Sequence, residues 1–141
     1  MSTCGNIGIV NEYDSITAIH VHWDSYPESV GKILLQHYTS ADIVNKLMAL
    51  GDLSSLNEKL YPDVSKPHTF FTPQPDVCVA YKRDRGEDNT QSTLFDNITE
   101  YELNMDCDIE YQYLFDHDHW IWRGRNGEWK ELTVKDCVDC V

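Results

Sequence analysis

From Ile109 to Val134 the chain alternates as a sheet does. Ile109, Tyr111, Tyr113 and Phe115 fall on one side of an extended backbone, Trp120 and Trp122 resume the period, and Trp129 to Val134 take it up once more. A period of two is the mark of a strand with one face buried. The two interruptions, DHDH at 116–119 and GRNG at 124–127, have the length and residue types of hairpin turns, Asn126 and Gly127 above all. The stretch therefore reads as a three-stranded antiparallel meander, and the rest of the chain has to supply the layer that covers its aromatic face.

The first half offers both more sheet and that layer. Residues 6–11 and 15–23 are strand-like runs separated by Glu12, Tyr13 and Asp14, a second hairpin; Ile19, Val21 and Trp23 face one way and Ala18, His20 and His22 the other. Asp24 to Pro27 stop the strand, and Pro27 suits a first helical position, where its missing N–H costs nothing. Val30, Ile33, Leu34 and Tyr38 then recur at helical spacing, with Glu28 in the first turn. A second helix follows, with Ser40 placed to cap it, Ile43, Val44, Leu47 and Met48 as its apolar stripe, and Gly51 as its stop.

Residues 57–76 hold four of the five prolines and no sustained period, so they read as a long surface loop pinned by Phe70 and Phe71. Val77 to Tyr81 reads as a short buried strand and the next eleven residues as a charged loop. Asn97 with Glu100 is a capping box for a helix running through about Asn104. The expected fold is one α+β domain: an antiparallel sheet, made of the N-terminal hairpin plus the meander, with about three helices packed on one face and a flexible tail over 135–141.

Eleven Lys and Arg against 24 Asp and Glu leave a formal net charge of −13. A field of that sign repels phosphate backbones and anionic lipid heads, so direct nucleic-acid binding and membrane association are not expected. The N-terminus lacks a basic segment followed by a long apolar run, and no stretch approaches the ~20 apolar residues of a membrane span. A soluble, cytosolic protein is expected. In that reducing compartment the five cysteines should remain thiols, without disulfides.

Laid out in order, NIGI (6–9), HWDSYPE (22–28), VG (30–31), LL and HY (34–35 and 37–38), GDLSSL (51–56), RDRGE (83–87) and YLFD (113–116) resemble a family of small proteins of tailed bacteriophages and prophages. That family's pattern carries glycine where this chain has Ser25. The resemblance implies a phage accessory protein, and it implies no activity, cofactor or catalytic residue.

Charge distribution supplies the first functional candidate. No Lys or Arg occurs between Arg85 and Arg123, whereas Glu87, Asp88, Asp96, Glu100, Glu102, Asp106, Asp108, Glu110, Asp116 and Asp118 do. Asp106, Asp108 and Glu110 are two apart; in an extended chain, at ~3.3 Å per residue, they would step along one face about as far as alternate DNA phosphates. Such a face would dock a basic or nucleic-acid-binding host protein, which the chain would inhibit or redirect. The plainer reading is a solubilising surface.

An alternative is a nucleotide-binding or weakly hydrolytic corner built from Trp23, Asp24, Tyr26, Tyr81, Arg83 and Arg85, where rings stack on a base and guanidiniums hold phosphate. For metals, His20 and His22 share a strand face and would need a third ligand such as Asp24 or His37, and Cys137 and Cys140 form a C-x-x-C with no partner pair. No metal is expected, the histidines reading as residues of a partly exposed sheet face or contacts to helix side chains and the two cysteines as free thiols of the tail. Asp116, His117, Asp118 and His119 read as turn residues, and Cys78 as an inert thiol in an apolar run. GxSxG and phosphate-cradling loops are missing, and nothing calls for a cofactor. An exposed aromatic strand in the meander would make a homodimer plausible.

Overall fold

The structure is a computed structural model that describes residues 3–104, 109–125 and 127–137. In chain order the strands are β1 (Cys4–Val10), β2 (Ile16–Val21), β3 (Leu53–Ser55), β4 (Val79–Ala80), β5 (Thr93–Phe95), β6 (Ile109–Asp116), β7 (His119–Gly124) and β8 (Lys130–Glu131). They form one sheet in the order β4-β3-β2-β1-β6-β7-β8, with β5 paired to β2 at Ile16, Thr17 and Ala18.

Both expected hairpin systems are present, β1 with β2 and β6 with β7 and β8. The sheet that joins them is mixed, however, and not antiparallel: β1 lies parallel to β6, and β2 is parallel to β3. The physical reason is plain. A hairpin's sense is dictated by its turn, but two strands a hundred residues apart pair in whichever direction the intervening chain delivers them, and nothing local records that.

Four α-helices are described where about three were expected: α1 (Lys32–His37), α2 (Ala41–Leu50), α3 (Tyr81–Arg85) and α4 (Ile98–Leu103). They do not share one face. A π-helical turn at Pro27–Gly31 leads into α1, and Val30, Leu34 and Tyr38 join Val44, Leu47 and Met48 of α2 against Ile7, Ile9, Ile19, Val21, Tyr113 and Phe115. Leu34, Val44 and Leu47 are completely enclosed, each worth about 1.5–3 kcal/mol of transfer free energy. On the opposite face α4 seals a smaller cluster, Tyr101 with Ile16, Ala18 and Leu114.

Local signals fared as their chemistry allows. The Asn97 side chain accepts the Glu100 N–H while the Glu100 carboxylate accepts the Asp96 N–H, a reciprocal cap on α4. Ser40 precedes α2, but its hydroxyl makes no capping bond. Gly51 ends α2 at φ +78°, and a Cβ there would sit 2.3 Å from the Thr90 carbonyl oxygen, so only glycine fits.

The charged stretch after Tyr81, expected to be a loop, opens with the single-turn helix α3. Its Asp84 carboxylate accepts the Ala80 N–H, and Gly86 at φ +69° closes it. Five charged or aromatic residues carry no apolar period, and a tertiary contact decided the matter.

Residues 57–76 carry no regular element beyond an isolated bridge from Lys59 to Val77. The Tyr38 hydroxyl donates to the Asn57 carbonyl at 2.8 Å at one end. Deeper in, Arg83 donates to the Leu60 and Cys78 carbonyls, and His68 Nε2 faces Asp84 at 3.2 Å. Phe70 packs on Tyr81 at 5.4 Å, whereas Phe71 is exposed, so one phenylalanine pins the loop and not two. The last meander strand, expected over Trp129 to Val134, is limited to Lys130–Glu131, and the 3-10 turn Val134–Cys137 runs into the expected flexible tail over 135–141, with Cys137 buried against the core. Among the described residues no helix is long and apolar enough to cross a membrane.

Candidate functional sites

The acidic residues singled out in the sequence divide into groups. Glu110 opens β6 and Asp116 closes it, about 20 Å apart at ~3.3 Å per residue, so they belong to opposite ends of the sheet. Glu87 lies beyond α3 and pairs with Arg85 at 3.3 Å; Asp88 is exposed beside it. Glu102 accepts a hydrogen bond from the Trp129 indole at 2.8 Å. Asp106 and Asp108 lie outside the described residues, as does Cys140.

The remaining three, Asp96, Glu100 and Asp118, gather with Asp116 at the hairpin end of the sheet. Val10 pairs with Ile16, Ile9 with Phe115, Asp116 with His119 and Ile16 with Phe95, so the β1–β2 connection, the end of β5 and the β6–β7 turn all emerge together. That register adds Glu12 and Asp14, which in the sequence were only a polar break, and Glu131, which is paired with Ile121. Four strands at ~4.8 Å spacing span about 15 Å, so neighbouring carboxylates lie within a Debye length of ~10 Å and reinforce one another. Segments 11–18, 93–104 and 113–121 contain no Lys or Arg to offset them.

At the apex of this end stands Tyr13, 93% exposed with φ at +63°, followed by Asp14 at +66°. A left-handed aromatic residue is costly unless a fold imposes it, and here it thrusts a bare ring into solvent amid carboxylates. In the neighbouring turn His117 Nδ1 lies 2.6 Å from Asp116, and His119 Nδ1 lies 3.0 Å from Asp118. The Asp118 hydrogen bond lifts the His119 pKa above its ordinary value, and the same bond is the main influence lowering Asp118.

The aromatic and arginine corner is split. Trp23 and Tyr26 are partly exposed, and Asp24 turns the chain at φ +57°. The Trp23 backbone N–H donates to the Ser54 carbonyl and the Tyr81 side chain bonds to Ser54, so both residues border β3. Both arginines are committed elsewhere, Arg83 to the 57–76 loop and Asp84, Arg85 to Glu87 and the Phe70 ring at 4.9 Å. Burial pushes the Asp84 carboxyl up, but Arg83, the Ala80 N–H and His68 outweigh it and hold the pKa below the usual range, which marks a structural knot.

A different cleft, missed by sequence reasoning, unites aromatic and cationic groups. Tyr111, Trp122, Arg125, Lys130 and Glu110 line about 470 Å³, with the Lys130 ammonium 4.5 Å from the Trp122 ring centre. The signal was present, since Trp122 and Lys130 flank one hairpin, but their pairing depends on turn length.

On the face away from the larger core, Cys4, His20 and His22 converge, their ligating atoms all within 4.8 Å of one another. His20 and His22 were expected to share a face; Cys4 replaces Asp24 and His37 as the third group. Cys137 is remote, buried near Gly31, and Cys78 is enclosed beside Tyr38, its thiol pKa raised by burial. None of Cys4, Cys78 and Cys137 is in a disulfide.

Searches against protein-family models, curated proteins and solved structures returned no match.

Proposed function

We propose that this chain is a non-enzymatic accessory protein of the phage type that docks a basic host protein and inhibits or redirects it. The recognition surface is the hairpin end of the sheet. One observation carries the reading: three segments without a single Lys or Arg bring Glu12, Asp14, Asp96, Glu100, Asp116 and Asp118 to the end of the sheet that bears the exposed Tyr13. An aromatic anchor ringed by carboxylates, whose near cationic neighbours are His117 beside Asp116 and His119 beside Asp118, suits an arginine-bearing partner, whose guanidinium can stack on the ring while its neighbours meet carboxylates.

The test compares wild type with the variant Glu12→Gln, Asp14→Asn, Asp96→Asn, Asp118→Asn in affinity capture from bacterial lysate. A protein held by wild type, lost by the variant and released between low and moderate salt supports the reading. Identical captures overturn it.

A second reading, a nucleotide-binding protein, draws on the Tyr111, Trp122, Arg125 and Lys130 cleft, whose volume suits a small ligand. A thermal-shift panel of nucleotides tests it, and a flat response removes it.

A further inference from the structure

We propose that Cys4, His20 and His22 form a binding site for a zinc-class divalent ion, open at one coordination position. The site follows from strand geometry. Gly5 pairs with Val21 in the antiparallel β1–β2 ladder, which sets Cys4 at the start of β1 beside His22 just past the end of β2. Period two then brings His20 to the same face, while Ile19 and Val21 point into the larger core.

The distances suit a metal. Cys4 Sγ lies 3.8 Å from His22 Nδ1. Bond lengths of ~2.3 Å to sulfur and ~2.0–2.1 Å to nitrogen, at tetrahedral angles, imply about 3.6 Å between those atoms. Since no pair of ligating atoms exceeds 4.8 Å, closure needs a pair to approach by about 1.5 Å at most, shared between two side chains and within reach of their rotation. Backbone hydrogen bonds of the ladder already hold the strands, so little ordering entropy is left to lose on binding.

Donor chemistry selects the ion. One thiolate and two imidazoles suit zinc and its borderline neighbours, and disfavour magnesium or calcium, which require oxygen. Cys4 is buried while both histidines are partly exposed, so the site has an anchored side and an entry side. Asp52 supports it from β3's approach: its carboxylate accepts the His20 backbone N–H at 2.8 Å and lies within electrostatic reach of the His20 ring. That bond fixes the His20 backbone, and so the place of the imidazole along the strand, and leaves a negative charge close to where a divalent ion would sit. Beside His20 a small cleft of about 160 Å³, lined also by Asn6, Asp52, Thr93 and Asn104, offers polar surroundings. Three protein ligands leave the fourth position to water or to a donor from another molecule.

The experiment titrates the reduced full chain with Co²⁺ and then with Zn²⁺ as competitor. The expected result is one equivalent bound, with a thiolate-to-cobalt charge-transfer band and tetrahedral d–d bands that zinc abolishes. Cys4→Ser should remove the charge-transfer band. His20→Gln and His22→Gln, at partly exposed positions, should each weaken zinc binding by at least the ~10- to 100-fold that loss of an outer partner costs, with unchanged circular dichroism. The double variant Cys137→Ser, Cys140→Ser should bind as wild type does. Absence of the charge-transfer band in wild type, wild-type zinc affinity in both histidine variants, or loss of the band in a Cys137/Cys140 variant whose circular dichroism is unchanged would overturn the proposal.

Discussion

The two ends of the sheet obey different rules. At the hairpin end the chain turns through exposed, partly left-handed residues, Tyr13, Asp14 and His117 among them, and the turn residues 12–14 and 117–119 are all exposed. At the strand-start end, buried side chains lock the backbone: Tyr113 donates its hydroxyl to the Ser25 carbonyl at 2.6 Å, and Ser25 donates to the Thr3 carbonyl at 2.8 Å. Beneath them Gly5 leaves no room, since a Cβ would lie 2.8 Å from the Ser25 side chain and 2.9 Å from the Tyr111 carbonyl. One end is built to be held and the other to be offered. Stability and recognition should therefore separate under mutation.

The sharpest way to break that contrast is at Gly5. Gly5→Ala should lower unfolding free energy by about 2–3 kcal/mol, because two of its contacts are backbone or short-tethered atoms that cannot swing aside. Urea denaturation reads it, and a change below ~0.5 kcal/mol would show that this end is looser than its contacts imply.

Tyr113→Phe comes next. It deletes a buried hydroxyl and strands the Ser25 carbonyl, for an expected loss of about 1–2 kcal/mol in the same measurement.

At the hairpin end, Glu12→Gln, Asp14→Asn and Asp96→Asn should each shift stability by less than ~0.5 kcal/mol, since the groups are exposed and Asn tolerates the left-handed turn at 14. The same three changes should weaken a cationic partner's association rate and flatten its salt dependence, as surface plasmon resonance at two ionic strengths would register.

The smallest effect is protonic. His119 titrates above the ordinary value of about 6.5, so its bond to Asp118 favours the fold fully below that value and fades as pH rises through the raised pKa. Asp118 is depressed, so its contribution exists above about 3.9 and fades as pH falls through the lowered pKa. The pair is thus complete between roughly pH 4 and 6.5. Both groups are exposed, so global stability should scarcely register it. NMR titration of the His119 ring, returning to the ordinary value in Asp118→Asn, measures it.

What the sequence disclosed follows the range of each interaction. The Asn97–Glu100 cap, the β6–β7 turn and the stripe of α2 are contacts within a few residues, and all were legible. The parallel β1–β6 pair, the Asp84 knot that makes α3 a helix, and the approach of Cys4 to His22 join residues whose neighbours in the chain say nothing of one another. The acidic end shows both cases. Asp96, Asp116 and Asp118 were named from composition, whereas Glu12 and Asp14 joined them only when the register placed the first hairpin beside β6.

The position of β1 has a consequence for biosynthesis. Its partner β6 begins at Ile109, so a ribosome adding ~5–20 residues per second releases the two strands about 5–20 s apart. Until then the β1 edge of the nascent hairpin keeps its backbone N–H and C=O groups unpaired and waits for the strand that completes it. A trigger-type chaperone or a crowded polysome meets the chain in that interval, and yield in the cell should respond to translation speed before it responds to the stability of the finished fold.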